Sequence, residues 1–130
     1  MTGYLSLRQI LALHALQIAR FGGAAGLRDR GSLEAAVARP RATFAGEDLH
    51  ADLPAKAAAL FHAIVQGHPF VDGNKRTGAH AAILFLLANG WEVEFTAAEL
   101  TAVTLAVAQG ELPNEALAIW LRQRSRQGRG

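Results

Sequence analysis

The chain has 130 residues, 51% of them hydrophobic and 18% charged, which is the make-up of one domain with a real core and excludes two full domains or wholesale disorder. Its net charge of +2 rests on four arginines near the C-terminus, Arg122, Arg124, Arg126 and Arg129; without them the body would carry −2, so no direct, specific nucleic-acid binding is expected. The longest unbroken apolar run, Ala81 to Ala88, falls far short of the roughly 20 residues that cross a bilayer, and Arg8, Gln9 and His14 interrupt the N-terminus where a secretory signal would be apolar. With no cysteine to form a disulfide, no membrane contact and a cytoplasmic location are the expectation.

Alanine (27) and leucine (18) far outnumber the 17 valine, isoleucine and threonine residues, so side-chain entropy favours an all-α fold. Ser6 and Gln9 form a capping-box pattern, and Leu7, Ile10, Leu11, His14, Ile18 and Phe21 make one apolar stripe that stops at Gly22-Gly23; this predicts a first helix over about 7–20. Ser32 is positioned to cap a short second helix that Pro40 ends. Arg28 and Asp29 read as a structural clasp at its start. The polar stretch 41–52 has no helical period and is long for a connector, which marks it as functional or disordered.

A third helix begins near Asp52-Pro54, presents Ala57, Leu60, Phe61 and Ile64, and stops at Gly67. The fourth, Asn74 to Ala88, is apolar all round between Ile83 and Leu87 and is expected to be the buried centre. An extended link, Trp91 to Phe95, leads to a fifth helix capped by Thr96 and Glu99 and ended by Gly110. The sixth starts near Pro113 and turns Leu117, Trp120 and Leu121 inward. Residues 1–122 thus form one domain of about six helices, followed by a basic, flexible tail over 123–130.

Chemistry concentrates in His68-Pro69-Phe70-Val71-Asp72-Gly73-Asn74-Lys75-Arg76-Thr77, on the loop between two central helices. A glycine at a helix start leaves backbone N–H groups unpaired at the positive end of the helix dipole, which makes an anion site. Lys75 and Arg76 add cations where the dipole disfavours them, so they call for an anionic ligand or a compensating acid. Asp72 is either that acid, as an N-cap, or a ligand for Mg2+, which takes one or two carboxylates together with substrate phosphates. His68 is the candidate general base toward a hydroxyl, and Phe70 the anchor of the loop. This division of roles is that of phosphoryl or nucleotidyl transfer. His80 either lines the pocket or is structural; His14 and His62 read as core histidines.

The ten-residue string resembles the signature of the Fic/Doc family, and in particular its Doc branch, the death-on-curing toxins of toxin–antitoxin pairs. The resemblance extends over roughly residues 4–122 through Gly26-Leu27-Arg28-Asp29, Leu33-Glu34-Ala35, Arg39-Pro40, Thr43-Phe44-Ala45-Gly46-Glu47 and Leu53-Pro54-Ala55-Lys56-Ala57-Ala58. It implies a compact helical bundle and a kinase that uses ATP and Mg2+ to phosphorylate a threonine of elongation factor Tu. By the same resemblance His68 is the base and Asp72 the metal ligand; Gly73 and Asn74 cradle phosphate, Lys75 and Arg76 contact it, and 41–52 is a flap whose Thr43, Phe44, Gly46 and Glu47 align the target.

Lys75 stands where the family's adenylyltransferases have a second glycine, and Ala79 where they have a second arginine. Both departures favour the kinase over the alternative, transfer of AMP to a protein hydroxyl. A non-catalytic helical binding protein is the remaining alternative, against which the complete base, metal and phosphate set argues. The inhibitory helix of self-restrained Fic proteins has no evident counterpart, although Thr43 and Glu47 have its spacing, so control is expected from a Phd-type antitoxin.

Overall fold

The computed structural model describes residues 1–128; Arg129 and Gly130, the end of the expected tail, lie outside the described residues. Among the described residues the order is α1 (Leu7–Phe21), α2 (Arg30–Ala38), a 3-10 turn (Arg39–Arg41), β1 (Thr43–Phe44), β2 (Glu47–Asp48), α3 (Leu53–Gly67), α4 (Asn74–Ala88), β3 (Trp91–Val93), α5 (Ala97–Ala108), α6 (Asn114–Gln123) and β4 (Ser125–Gln127). This is the all-α bundle that the composition predicts. Both capping boxes form, Ser6 with Gln9 and Thr96 with Glu99, because each side chain answers an N–H that the first turn leaves unpaired.

Asp29, and not Ser32, caps α2. Ser32 occupies the third helical position, whose N–H is the one a cap receives, and donates it to Asp29 at 3.0 Å. Its hydroxyl is thereby free to donate to the carbonyl of Gly67 at 2.9 Å. Pro40 falls within the 3-10 turn that follows the helix.

The buried centre is α3 rather than α4. α3 packs against α2, α4, α5 and α6, and Ala57, Leu60, Phe61 and Ile64 are all buried as expected. α4 keeps one face to solvent, with Leu84 and Leu87 exposed and Ala79, Ala81, Ala82, Phe85 and Leu86 turned inward. The α3–α4 contact depends on Gly78: a Cβ there would lie 2.7 Å from Val65 Cγ2 and 3.1 Å from the Phe61 carbonyl oxygen. Glycine inside a helix costs about 1 kcal/mol relative to alanine, a cost offset here by close helix packing.

The tail expectation is corrected over most of its length. Gln123 ends α6, and Ser125–Gln127 pair antiparallel with Trp91–Val93. The arginines meet glutamates of the body, Arg124 with Glu99 at 3.1 Å and Arg126 with Glu92 at 3.0 Å. Charge that reads as a solvated end is therefore matched at these two positions, by Glu92 across the strand pair and by Glu99 in the first turn of α5.

Two antiparallel helix pairs set up one functional end. Asn89 exchanges hydrogen bonds with Gly3 (2.7 and 2.8 Å) at one end of the α1–α4 pair, and Arg76 reaches the Gly22 carbonyl at the other. Ser32 on Gly67 and Lys56 on Pro40 fix the two ends of the α2–α3 pair in the same way. The C-termini of α1 and α3 thus meet the N-termini of α2 and α4.

Asp52 links the remote end of the bundle. It caps α3 by accepting the Ala55 N–H at 2.9 Å and accepts from Arg122 Nε and Nη at 2.7 and 3.1 Å; the Arg122 bond chiefly holds its carboxyl below the ordinary 3.8. Asp52→Ala is expected to cost about 1–2 kcal/mol, mostly through the cap, since a half-exposed ion pair adds little. A depressed folded pKa gives stability that is complete above the unfolded value and lost as pH falls through the folded one. Melts of parent and variant are therefore expected to differ most near pH 7 and to converge below about pH 4.

Candidate active site

α3 ends at His68, whose left-handed conformation (φ 47°, ψ 56°) turns the chain back while its N–H still donates to the Ile64 carbonyl at 3.2 Å. Histidine tolerates this region better than most residues, but the position is usually glycine, so the turn stores backbone strain beside the candidate base. The next turn is pinned from inside. Phe70 is buried, and its ring stacks on that of His14 with centroids 3.7 Å apart and planes 4° from parallel. Asn74 accepts the Phe70 N–H at 3.0 Å and donates to the Phe70 carbonyl at 2.9 Å.

From outside, residues 26–29 hold the same loop. Leu27 bridges to Phe70, the N–H groups of Arg28 and Asp29 both donate to the Pro69 carbonyl (2.8 and 3.0 Å), and the Val71 N–H donates to Gly26 at 3.0 Å. Arg28 Nε donates to the His68 carbonyl at 2.6 Å and Nη2 to Gly67 at 3.0 Å. The expected clasp between Arg28 and Asp29 does not form: Asp29 caps α2, and Arg28 grips the carbonyl end of α3, where a cation is favoured.

An open cleft of about 410 Å³ is lined by His68, Val71, Asp72, Gly73, Asn74, Lys75 and Arg76, so the motif residues do converge. Asp72 is not the N-cap. That position belongs to Gly73, which is left-handed (φ 76°) and whose Cβ, if it had one, would crowd Ile18 at 3.2 Å. The Asp72 side chain instead accepts from the Gly73 N–H at 2.8 Å and the Ala24 N–H at 3.2 Å, and its carbonyl accepts from His14 Nε2 at 2.8 Å. Those two backbone bonds, Gly73 first and Ala24 next, hold its carboxyl below the usual carboxylate range, helped by Arg76 and Lys75.

In the first turn of α4 the earliest N–H to find a partner within the helix is that of Thr77, on Gly73 at 3.0 Å, which leaves those of Asn74, Lys75 and Arg76 at the cleft. The Asn74 side chain is committed to Phe70 and buried, so what Asn74 can offer a phosphate in the expected cradle is its backbone N–H. Arg76 donates from Nη2 to the Gly22 carbonyl at 3.1 Å and covers the Phe21 ring at 5.2 Å. The negative end of α1 thereby relieves part of the conflict between this cation and the positive end of α4. Lys75 is exposed at the cleft.

His80 does not line this cleft. Its Nδ1 donates to the Arg76 carbonyl at 2.8 Å, and the ring borders a neighbouring cavity between α4 and α5. His14 is the core histidine expected, and His62 is half-buried beside Arg39 on another surface, burial holding its pKa down.

Thr43, Phe44, Gly46 and Glu47 lie in the exposed β1–β2 hairpin, not in the cleft wall. The hairpin is tied to Lys56 through Asp48 at 3.1 Å, about 18 Å along α3 from His68 at 1.5 Å per residue. Because Thr43 and Glu47 lie in paired strands, their spacing does not make a helix. The sequence assigns Arg28 a different role, as a clasp, and offers no site role for Gly23 and Ala24; at Gly23 (φ 112°) a Cβ would stand 2.6 Å from Asp72 Oδ2. The Gly22-Gly23 pair was the available signal, read only as a helix stop.

Residues 4–86, well over half of the chain, match the Fic/DOC family. The chain is 38% identical over 120 residues to the protein kinase doc of Escherichia phage P1, covering 92% of this chain and 94% of that protein. It is 47% identical over 90 residues to the toxin Doc of Mycolicibacterium smegmatis, covering 69% of this chain and 67% of that protein.

Arg28 generates a test of positioning. Arg28→Lys keeps the charge but not the two directed bonds to consecutive carbonyls. The turnover number is expected to fall about 10- to 100-fold with nucleotide affinity unchanged, as misplacement of a reacting group does. A variant that only melts earlier, with full turnover per folded molecule, would make Arg28 a brace and nothing more.

Proposed function

This chain belongs to the Fic/DOC family as one of its Doc-type toxins with protein kinase activity, and we propose that its reaction, transfer of the ATP γ-phosphoryl group to a protein hydroxyl, takes place in the cleft between α3 and α4. The observation that carries this reading is the convergence at one cleft of an exposed histidine, an ionised carboxylate, three backbone N–H groups without helical partners and two cations.

His68 takes the proton of the target hydroxyl as its oxygen attacks the γ-phosphorus, and the bond from that phosphorus to the bridging oxygen breaks so that ADP leaves. The N–H groups of Asn74, Lys75 and Arg76, with the Lys75 ammonium and the Arg76 guanidinium, steady the charge on the phosphate oxygens. Asp72 suits Mg2+: it is ionised, both oxygens are already oriented by backbone N–H groups, and one carboxylate with substrate phosphates is a sufficient set for this ion. The ion supplies neutralisation of phosphate charge when bound. Lys75 at the cleft and the small Ala79 beyond it support γ- over α-phosphoryl transfer. The proposed target is a threonine of elongation factor Tu, and the exposed hairpin with Phe44 at its tip is proposed to hold a second stretch of the target surface. As a Doc-type toxin the chain is paired with an antitoxin, for which a Phd-type protein is proposed.

With ATP labelled on the γ-phosphate, label is expected on a protein hydroxyl in a cell lysate, and none with the α-phosphate labelled; transfer of the α-label alone would establish AMP transfer instead. His68→Asn keeps a residue that tolerates the left-handed turn and removes the base, so the rate is expected to fall about 10²- to 10⁴-fold with melting nearly unchanged. In Asp72→Asn, a magnesium titration of the transfer rate is expected to move to higher concentration; an unmoved titration would leave Asp72 a purely structural residue.

A further inference from the structure

Leu27 and Phe70 face each other in a short antiparallel bridge. The bonds that flank this pair, from the Arg28 N–H to the Pro69 carbonyl at 2.8 Å and from the Val71 N–H to the Gly26 carbonyl at 3.0 Å, make it a non-hydrogen-bonded pair of the ladder. In such a pair each residue turns its own N–H and C=O away from the other. At Phe70 the outward groups are both answered by the Asn74 carboxamide. At Leu27, which is exposed, the equivalent groups have no partner among the described residues. We propose that this edge receives an extended segment of the acceptor protein by strand addition, next to the hydroxyl that is phosphorylated; the inference rests on the phosphate-transfer reading of the cleft and adds which part of the chain seats the protein substrate.

Three features carry it. The first is the form of recognition: one residue of an incoming antiparallel strand can exchange both of its backbone hydrogen bonds with Leu27, the mode by which open sheet edges capture peptides. The second is that the edge is unguarded. Exposed edges are ordinarily blunted by charge, proline or cover, whereas the residues before Leu27 are Ala24, Ala25 and Gly26, all exposed, and Arg28 after it turns its guanidinium back onto the His68 and Gly67 carbonyls. The third is position. Exposed Val71 is both a wall of the phosphate cleft and a neighbour of Gly26, where a Cβ would lie 3.9 Å from Val71 Cγ2, so apolar surface joins the Leu27 edge to the cleft. An extended chain advances about 3.3 Å per residue, which brings a hydroxyl about two or three residues from the one paired with Leu27 within reach of His68. The transfer requires acceptor chain at that range, and the hairpin, fastened to Lys56 at the other end of α3, lies too far from His68 to seat it.

The test uses the full chain and, as acceptor, the purified lysate protein that takes most of the γ-phosphate label from the parent. Hydrogen exchange at the Leu27 amide, followed by NMR with magnesium and a non-hydrolysable ATP analogue, is expected to slow at least about 10-fold when the acceptor is added and to be unaffected by the analogue alone. Leu27→Pro deletes an N–H that no other described residue uses. It is expected to raise KM for the acceptor about 3- to 10-fold, the worth of one backbone hydrogen bond, with KM for ATP and kcat at saturating acceptor near parental. Leu27 exchange that the acceptor does not slow, or a folded Leu27→Pro variant with parental KM for the acceptor, overturns strand addition and leaves the phosphate cleft standing. If the variant fails to fold, the exchange measurement on the parent decides alone. A parent that transfers γ-label to no protein refutes the phosphate-transfer reading, and the docking edge with it.

Discussion

The Asn74 carboxamide closes on both the N–H and the carbonyl of Phe70, and the geometry of the candidate active site depends on that pair of hydrogen bonds. They form in a buried setting, where losing a partner strands a desolvated polar group at about 1–3 kcal/mol. The closure sets the distance between the end of α3 and the start of α4, and so between His68 and the first-turn N–H groups. The Phe70 ring, locked in the core against His14, prevents the loop from swinging as a unit. His14 in turn holds the Asp72 carbonyl, so one core histidine serves both the anchor and the carboxylate.

Electrostatics at this end of the bundle follow from which helix termini meet there. Two C-termini bring carbonyls, and two arginines answer them: Arg28 at α3 and Arg76 at α1. The N-terminus of α4 brings unpaired N–H groups that attract anions. Asp72 lies between, held ionised by N–H groups from two separate segments. A cation that would be unfavourable on an isolated α4 is tolerable because a neighbouring helix presents its negative end to it. The strain at His68 is sustained by the same surroundings, since Arg28 holds its carbonyl and the Asn74–Phe70 closure holds the chain beyond it.

The bundle separates its chemistry from the exposed β1–β2 hairpin that carries Phe44. α2 runs back along α3, so the hairpin after it emerges at the far end from His68, where the buried Lys56 holds it through Asp48 and the Pro40 carbonyl. A buried lysine with one carboxylate partner is a costly fastening, and removing that partner would leave its charge unmatched. Phe44 at the hairpin tip is 77% exposed, a position suited to contact with another protein rather than to packing.

Much of this was legible in the amino-acid sequence for physical reasons that act locally. Alanine and leucine abundance determined the helical class; the Ser6–Gln9 and Thr96–Glu99 pairs determined two helix starts, because a capping box is complete within four residues. The α4 boundaries, Asn74 and Ala88, followed from a glycine before and Asn89-Gly90 after. The convergence of the motif residues was legible too, since a loop between two packed helices keeps its members together. What only the tertiary structure decided are the relations across the chain. Asn74, expected in a phosphate cradle, turns its side chain inward to Phe70 and keeps only its backbone at the cleft; Asp72, readable as a cap or as a metal ligand, does not cap α4 and accepts the N–H of Ala24, 48 positions earlier. Arg28 found the end of α3 instead of its neighbour Asp29, and Arg124 and Arg126 found Glu99 and Glu92. A hydrogen-bonding side chain declares its chemistry in sequence, but its partner depends on which backbone ends the packing brings within about 3 Å, and that is a property of the assembled helices.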